Sequence, residues 1–145
     1  MLPNMGAFKI ARSKKSRNFL DRFLAHENYD LLLGSSTIRR LDPDKYLACG
    51  TWLNRGIGNS TIPDLAHYIN MSSLSIKPSN IILYAGENDL NRGVSIEKTI
   101  SSFKQLVKNL MARYPNSGIH IIAIKPSPNR RNRWGEFNAF NDVLD

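Results

Sequence analysis

Ser36 is the first residue of this chain whose setting suggests chemistry. It follows an apolar run at 31–33 and a glycine, Gly34, so a strand is expected to turn sharply there. A serine hydroxyl held in such a turn can attack a carbonyl carbon, and nearby N–H donors can stabilise the oxyanion that forms. The alternative is that Ser36 only begins or caps a helix, as most serines in that position do.

Two further polar blocks supply donors suited to the same reaction. The segment 54–61 holds two glycines and two asparagines, which indicates a loop with unusual backbone angles. Backbone N–H groups of Ser36 and of the Gly58-Asn59 turn are two candidate oxyanion donors. The side-chain amide of Asn88, which follows a third apolar run, is the other. Together these residues predict acyl transfer.

The pattern of apolar residues predicts that strands and helices alternate. Strands are expected at 30–34, 49–53, 80–85 and 118–124, and helices at 16–27, 37–41, 61–70, 95–113 and 136–144. This alternation is typical of an α/β protein with a parallel sheet and right-handed crossovers. Because ligands bind at the carboxyl edge of such sheets, the three polar blocks are expected to meet there.

Charge and cysteine content narrow the classes of partner and location. The net charge is +8, from 20 Lys and Arg against 12 Asp and Glu. The basic residues are scattered without interleaved aromatic side chains, so we expect no nucleic-acid partner. The single cysteine, Cys49, excludes an internal disulfide and a cysteine-based zinc cluster, and we expect it to be buried. Residues 1–15 have no apolar core long enough for a signal peptide, which favours a cytoplasmic protein. No run reaches membrane-spanning length, so we expect no membrane span.

Taken together, the three blocks resemble those of the SGNH hydrolases, also called GDSL esterases and lipases, in their platelet-activating-factor acetylhydrolase-like branch. The Gly-Asp-Ser block of that family is similar to Gly34-Ser35-Ser36, which implies that Ser36 is the nucleophile. The second block is similar to 54–59, with Asn59 at the position of the oxyanion glycine. The third, Gly-x-Asn-Asp, is matched fully at 86–89 and implies that Asn88 is the oxyanion asparagine.

The resemblance implies a single domain over 1–145 with a three-layer flavodoxin-like fold and a central parallel sheet. It implies hydrolysis of a small-molecule carboxylic ester, with neither metal nor cofactor. Asp89 is a candidate pocket residue, and so are Arg130 and Trp134 in the basic loop 125–134. The alternative for that loop is a solvated basic segment with Trp134 packed on the final helix.

The family's C-terminal Asp-x-x-His block, which supplies the triad acid and the general base, is absent after the helix near Glu136. His26, His67 and His120 are expected to be surface or packing residues. We therefore expect a domain that lacks the last strand and helix, a weak or inactive hydrolase, and self-association through the open sheet edge. The alternative function is a non-catalytic relic or ligand-binding module with the same fold.

Overall fold

The computed structural model of this chain describes residues 29–72 and 76–144. The helix predicted at 16–27, including His26, lies outside the described residues. Along the chain the elements are β1 (Asp30–Gly34), α1 (Ser36–Arg40), α2 (Pro43–Tyr46), β2 (Trp52–Gly56), α3 (Ile62–Met71), β3 (Asn80–Tyr84), α4 (Glu87–Asn91), α5 (Ile96–Arg113), β4 (Gly118–Ile121), a 3₁₀ helix (Pro128–Arg133) and α6 (Trp134–Asn141).

The four strands form one parallel sheet in the order β2-β1-β3-β4. The prediction of an α/β fold around a parallel sheet is therefore confirmed. The last residue of β1, Gly34, lies beside Gly56 of β2 and Tyr84 of β3. Three strands thus end side by side, and the three polar blocks follow them at one edge of the sheet.

Helices pack on both faces of the sheet, which explains why 31–33 is a continuous apolar run. Leu31 and Leu33 belong to the larger core, with side chains from α3, α5 and α6. Leu32 points to the opposite face and packs with Ile38 of α1 and with Tyr84. These five side chains are fully buried.

The second and fourth strands differ from the expectation. Strand β2 is Trp52–Gly56, three residues later than predicted at both ends, and Cys49 lies before it in an exposed bend. The expectation of a buried thiol is wrong, because the neighbouring apolar residues belong to a bend rather than to a strand. Strand β4 ends at Ile121 and is mostly exposed, and its outer edge has no partner strand among the described residues.

Helix α3 begins with the features that its sequence predicts. Thr61 is the N-cap, Pro63 lies in the first turn, and Asp64 completes a capping box with Thr61. The segment after β4 is more ordered than predicted, since the 3₁₀ helix leads directly into α6 at Trp134. No helix in the described part of the chain has the length and apolar character needed to cross a bilayer.

Candidate active site

Ser36 is held at the carboxyl edge of the sheet by a tight turn after β1. A Cβ atom at Gly34 would collide with the carbonyl oxygen of Tyr84 and would come within 2.6 Å of the Ile38 side chain, so only glycine fits. The N–H of Ser35 donates to the same carbonyl of Tyr84 over 3.3 Å. Ser36 is the first residue of α1, so its own N–H has no acceptor within the helix.

Asn59 brings its backbone N–H to the Ser36 hydroxyl. The N–H donates to Ser36 Oγ over 3.0 Å. Asn59 has a φ of 60°, the left-handed conformation that asparagine tolerates better than most residues. Its carbonyl accepts from Arg92 Nη2 over 2.9 Å, which fixes the loop from its other side.

Gly58, predicted as a second donor in this loop, makes a different contact. A Cβ at Gly58 would lie within 2.6 Å of Nη1 of Arg39, so the glycine leaves room for that guanidinium group. Its backbone has no positive φ, unlike that of Asn59. The hydrogen bond to Ser36 comes from Asn59, and the donor role predicted for Gly58 has no support in the contacts of the described residues.

Asn54 fixes the helix that carries Ser36. Its Nδ2 donates to the carbonyl of Ile38, in the last turn of the short helix α1, at 2.7 Å and to that of Leu41, the C-cap, at 2.9 Å. Its Oδ1 accepts the N–H of Gly56 over 2.9 Å. One side chain thus ties the C-terminal end of α1 to β2, and it gives the carbonyl of Leu41 a donor that the helix cannot supply.

Asn88 lies in α4, directly after the left-handed turn at Gly86, whose φ is 106°. Its Nδ2 donates to the carbonyl of Ser60 over 2.7 Å, and its Oδ1 accepts from Arg130 at 3.3 and 3.4 Å. Both contacts require the same orientation of the amide. An amide nitrogen carries two hydrogens, so one N–H of Asn88 is left for a ligand.

A buried polar network lies behind Asn88. Glu87 is 8% exposed; it accepts from the hydroxyl of Tyr84 over 2.6 Å and pairs with Arg130 at 3.2 Å. Burial raises the pKa of Tyr84, and the hydrogen bond to the Glu87 carboxylate raises it further. The Arg130 guanidinium therefore links a buried carboxylate to the amide of Asn88. Glu87 was missed by sequence reasoning, although it lies inside the third block.

Ser36, Asn88 and Arg130 line one cavity of about 400 Å³ at this edge of the sheet. Arg130 lines the cavity, and its contact with a ligand stays a prediction. The cavity is also lined by Arg40 and Lys125, which the sequence did not single out. The sequence pattern located the ends of the elements beside Arg40 and Lys125, but it could not show in which direction these two side chains point.

Asp89 and Trp134, also predicted as pocket residues, do not line this cavity. Asp89 is buried and accepts the N–H of Ile62 at 3.0 and 3.2 Å, so it anchors the start of α3. Burial raises the pKa of Asp89, partly offset by that N–H donor. Trp134 donates from Nε1 to the carbonyl of Ser127 over 3.0 Å and packs on the core. Both residues support the site from behind.

Neither histidine in the described residues lines the cavity. Nε2 of His120 lies 3.0 Å from Oδ1 of Asn80, the first residue of β3, and therefore at the opposite edge of the sheet. His67 is exposed on α3. These positions agree with the surface or packing roles predicted for both.

Sequence reasoning overlooked one Asp-x-x-His spacing, formed by Asp64 and His67. Asp64 is bound to the N–H and hydroxyl of Thr61 at 2.9 and 2.8 Å, which makes it part of the helix cap. His67 lies five residues beyond Ile62, about 7.5 Å along a helix that leads away from the carboxyl edge. The pair therefore has the spacing of the family's acid and base without their position.

A metal centre is not evident at this edge of the sheet. Within 29–72 and 76–144, no three His, Cys, Asp or Glu side chains converge as metal ligands would. The chemical groups that line the site include the Ser36 hydroxyl, N–H donors, cationic side chains and the Glu87 carboxylate.

Solved structures of SGNH and GDSL hydrolases superpose on this chain. A provisionally named platelet activating factor from Streptococcus pneumonia gives a TM-score of 0.72 at 17% identity, over 97% of this chain and 74% of that one. A GDSL-like lipase from Bacteroides thetaiotaomicron gives a TM-score of 0.71 at 16% identity, over 92% of this chain and 71% of that one. The SGNH-hydrolase family esterase AlinE4 gives a TM-score of 0.62 at 21% identity, over 81% of this chain and 71% of that one. No protein-family model matches the chain, and a search of curated proteins gives no match.

At these identities the likeness concerns the fold. The described residues have the α/β architecture of the SGNH hydrolases, with a four-stranded parallel sheet between helices. The resemblance predicted from the three sequence blocks is confirmed at that level.

Proposed function

We propose that this chain is a serine ester hydrolase of the SGNH class, with Ser36 as the nucleophile. The backbone N–H groups of Ser36 and Asn59 and the side-chain amide of Asn88 are the oxyanion donors in this proposal. The observation that carries it is the 3.0 Å hydrogen bond from the Asn59 N–H to Ser36 Oγ, because it aims a donor at the atom that would attack.

In the proposed reaction, Ser36 Oγ attacks the carbonyl carbon of a bound ester, and the hydroxyl proton leaves with the alcohol product. The carbonyl oxygen becomes an oxyanion beside Oγ and takes over the Asn59 N–H, while the second N–H of Asn88 donates to it as well. Collapse expels the alcohol and leaves an acyl-serine. Water then attacks the acyl group, which releases the acid and restores the Ser36 hydroxyl.

The rate of this reaction is expected to be low, because a serine hydroxyl without a general base is a poor nucleophile. No described histidine lines the cavity. An oxyanion hole and substrate binding still accelerate acyl transfer over water by about 10³–10⁴.

The cavity of about 400 Å³ suits a small-molecule ester. The single-domain organisation over 1–145 and the cytoplasmic location stay predictions.

Steady-state hydrolysis of p-nitrophenyl acetate tests this proposal. We expect slow, saturable turnover by the purified chain, reduced to the rate of a denatured sample in Ser36→Ala. Thr51→Ala, at an exposed position before β2, is the matched control and is expected to keep the rate. Equal rates in the wild type and Ser36→Ala would contradict the proposal. Turnover at an ordinary esterase rate would contradict the expectation that the site works without a general base.

The second candidate function is an acyl-ligand-binding module, favoured by the absence of a described histidine from the cavity wall. It predicts saturable binding of an ester without any turnover. Isothermal titration calorimetry with a non-hydrolysable ketone analogue of the ester measures this binding in the wild type and in Asn88→Ala. Binding of the analogue by a protein that shows no turnover in the kinetic assay would indicate a binding module rather than a hydrolase.

A further inference from the structure

We propose that the substrate of the Ser36 site carries an anionic group, a carboxylate or a phosphate, close to its scissile ester. This inference rests on the proposed function, since it concerns the ligand of the same cavity. It extends that proposal from esters in general to esters with a negative charge in a defined place.

The cavity wall has more positive than negative charge. Arg40, Lys125 and Arg130 line it, and Glu87 is the one carboxylate among its lining residues. Glu87 is already neutralised, because Arg130 pairs with it at 3.2 Å and the hydroxyl of Tyr84 donates to it. Two cationic side chains, Arg40 and Lys125, therefore remain to interact with a ligand.

Arg40 and Lys125 form no ion pair within the part of the chain that the structure describes. Both side chains are exposed, so their charged groups are free to move toward a ligand. They approach the cavity from different elements, Arg40 from the end of α1 and Lys125 from the segment after β4. A ligand in the cavity would therefore be within reach of cations carried by two separate elements.

The backbones that carry these two cations are fixed, although their side chains are not. Leu41, next to Arg40, accepts from Asn54 and donates to the carbonyl of Ile38. Ile124, next to Lys125, is 2% exposed, and its N–H and carbonyl both bond to the Asn141 side chain at 2.8 and 2.9 Å. The backbone positions from which the two side chains reach the cavity are therefore fixed relative to Ser36.

A neutral ester would gain no electrostatic attraction from these two charges, which would stay hydrated beside it. A carboxylate or phosphate would instead accept charge-assisted hydrogen bonds from them. Since both groups are partly in solvent, salt should weaken the interaction. The charge balance thus favours an anionic ester over a neutral one.

Three acetyl esters of similar shape provide the test. They are 4-acetoxybenzamide, which is neutral, 4-acetoxybenzoate, which carries a carboxylate, and 4-acetoxyphenyl phosphate. We expect KM to be about tenfold lower for the anionic esters than for the amide, which is the effect of one charge-assisted hydrogen bond. The carboxylate and the phosphate arms show which anion is preferred. Equal KM for all three esters would overturn the inference.

Charge-removing variants locate the effect. Arg40→Gln and Lys125→Gln are each expected to raise KM for the anionic esters about threefold, so that the two together remove the tenfold preference, and to change KM for the amide by a smaller factor. Lys98→Gln, on an exposed part of α5 that does not line the cavity, is the matched control. An equal change of KM for charged and neutral esters in these variants would contradict a role in anion binding.

A binding measurement separates this inference from the proposed function. In Ser36→Ala, titration with 4-hydroxybenzoate and with 4-hydroxybenzamide reports affinity without turnover. Anion-selective binding that depends on Arg40 and Lys125, in a protein that hydrolyses no ester, would disprove the hydrolase and keep the anionic preference. Hydrolysis with no anion selectivity in either assay would support the hydrolase and disprove the anionic preference.

Discussion

The backbone N–H of Asn59 donates to the hydroxyl of Ser36 over 3.0 Å, across 23 positions of sequence. Neither residue could be placed there by its own segment. The position of Ser36 depends on the close approach of Gly34 to β3. The position of the Asn59 N–H depends on a left-handed φ at that residue, whose carbonyl accepts a hydrogen bond from Arg92. The contact therefore connects the loops after β1 and β2 at one point, where we propose that the oxyanion forms.

Asn88 provides the first prediction. Asn88→Ala removes the side-chain N–H that we assign to the oxyanion, and loss of one such donor lowers kcat about 10²–10³-fold. We expect kcat for p-nitrophenyl acetate to fall by that factor while KM changes little. Stopped-flow or long-time absorbance assays measure the rate.

Thermal unfolding is the control for this variant, because Asn88 also donates to the carbonyl of Ser60. Loss of that hydrogen bond is expected to cost about 1–3 kcal/mol, which a folded domain can tolerate. Unchanged kcat in a folded Asn88→Ala protein would show that Asn88 is not an oxyanion donor.

Asp64 provides a prediction about pH. Donation from the Thr61 N–H holds the pKa of Asp64 below its usual value, although burial opposes this. Because the folded-state pKa is the lower one, this carboxylate stabilises the fold above pH 4 and stops doing so as the pH falls through the folded value. Because Asp64 is exposed and an asparagine oxygen can still accept from Thr61, Asp64→Asn should lower the free energy of unfolding by only about 0.5 kcal/mol near pH 7, and by less below pH 4.

Urea unfolding at several pH values measures this difference. Asp42→Asn is the matched control, since Asp42 is the N-cap of α2 but makes no side-chain cap hydrogen bond. We expect its effect to be smaller and nearly independent of pH. A constant loss of stability in Asp64→Asn from pH 7 to pH 3 would contradict the proposed coupling.

The sequence predicted the buried centre of the fold better than its borders. The run 31–33 marks β1 at its observed bounds, because a strand covered on both faces is apolar at every position. Strand β2 continues through Asn54 and Arg55, whose polar side chains gave no strand signal. What makes them a strand is pairing with β1, which puts Arg55 beside Leu33 and cannot be read from the segment alone.

The candidate site shows a similar limit. Its backbone positions could be predicted, since Ser36, Asn59 and Asn88 each follow a recognisable strand or polar block. The side chains around them could not, because their direction depends on packing between distant elements. Asp89 bonds to Ile62 instead of facing the cavity, whereas Lys125 faces it without any sequence signal.

The outer edge of β4 provides a prediction about self-association. Ile121 is 39% exposed and lines an apolar groove of about 310 Å³ with Phe103 and Phe140. An exposed apolar edge strand is a template for pairing with another chain, so we expect a second copy to bind there. Light scattering should show a molecular mass that rises with concentration.

Ile121→Lys is expected to shift that equilibrium toward the monomer, because a lysine on an edge strand opposes pairing. Met111→Lys, at an exposed position of α5 outside the groove, is the control for added charge. A monodisperse monomer for the wild type at all concentrations would disprove self-association through this edge.

Mass spectrometry of the chain after brief reaction with p-nitrophenyl acetate tests the central claim most directly. Since the cavity wall offers no described histidine to activate water, deacylation should be slow and the acyl-enzyme should accumulate. We predict one acetyl group on the peptide that contains Ser36, absent in Ser36→Ala and reduced in a folded Asn88→Ala. Acetylation confined to lysines, or equal labelling of the Ser36 peptide in all three proteins, would contradict the assignment of Ser36 as the nucleophile.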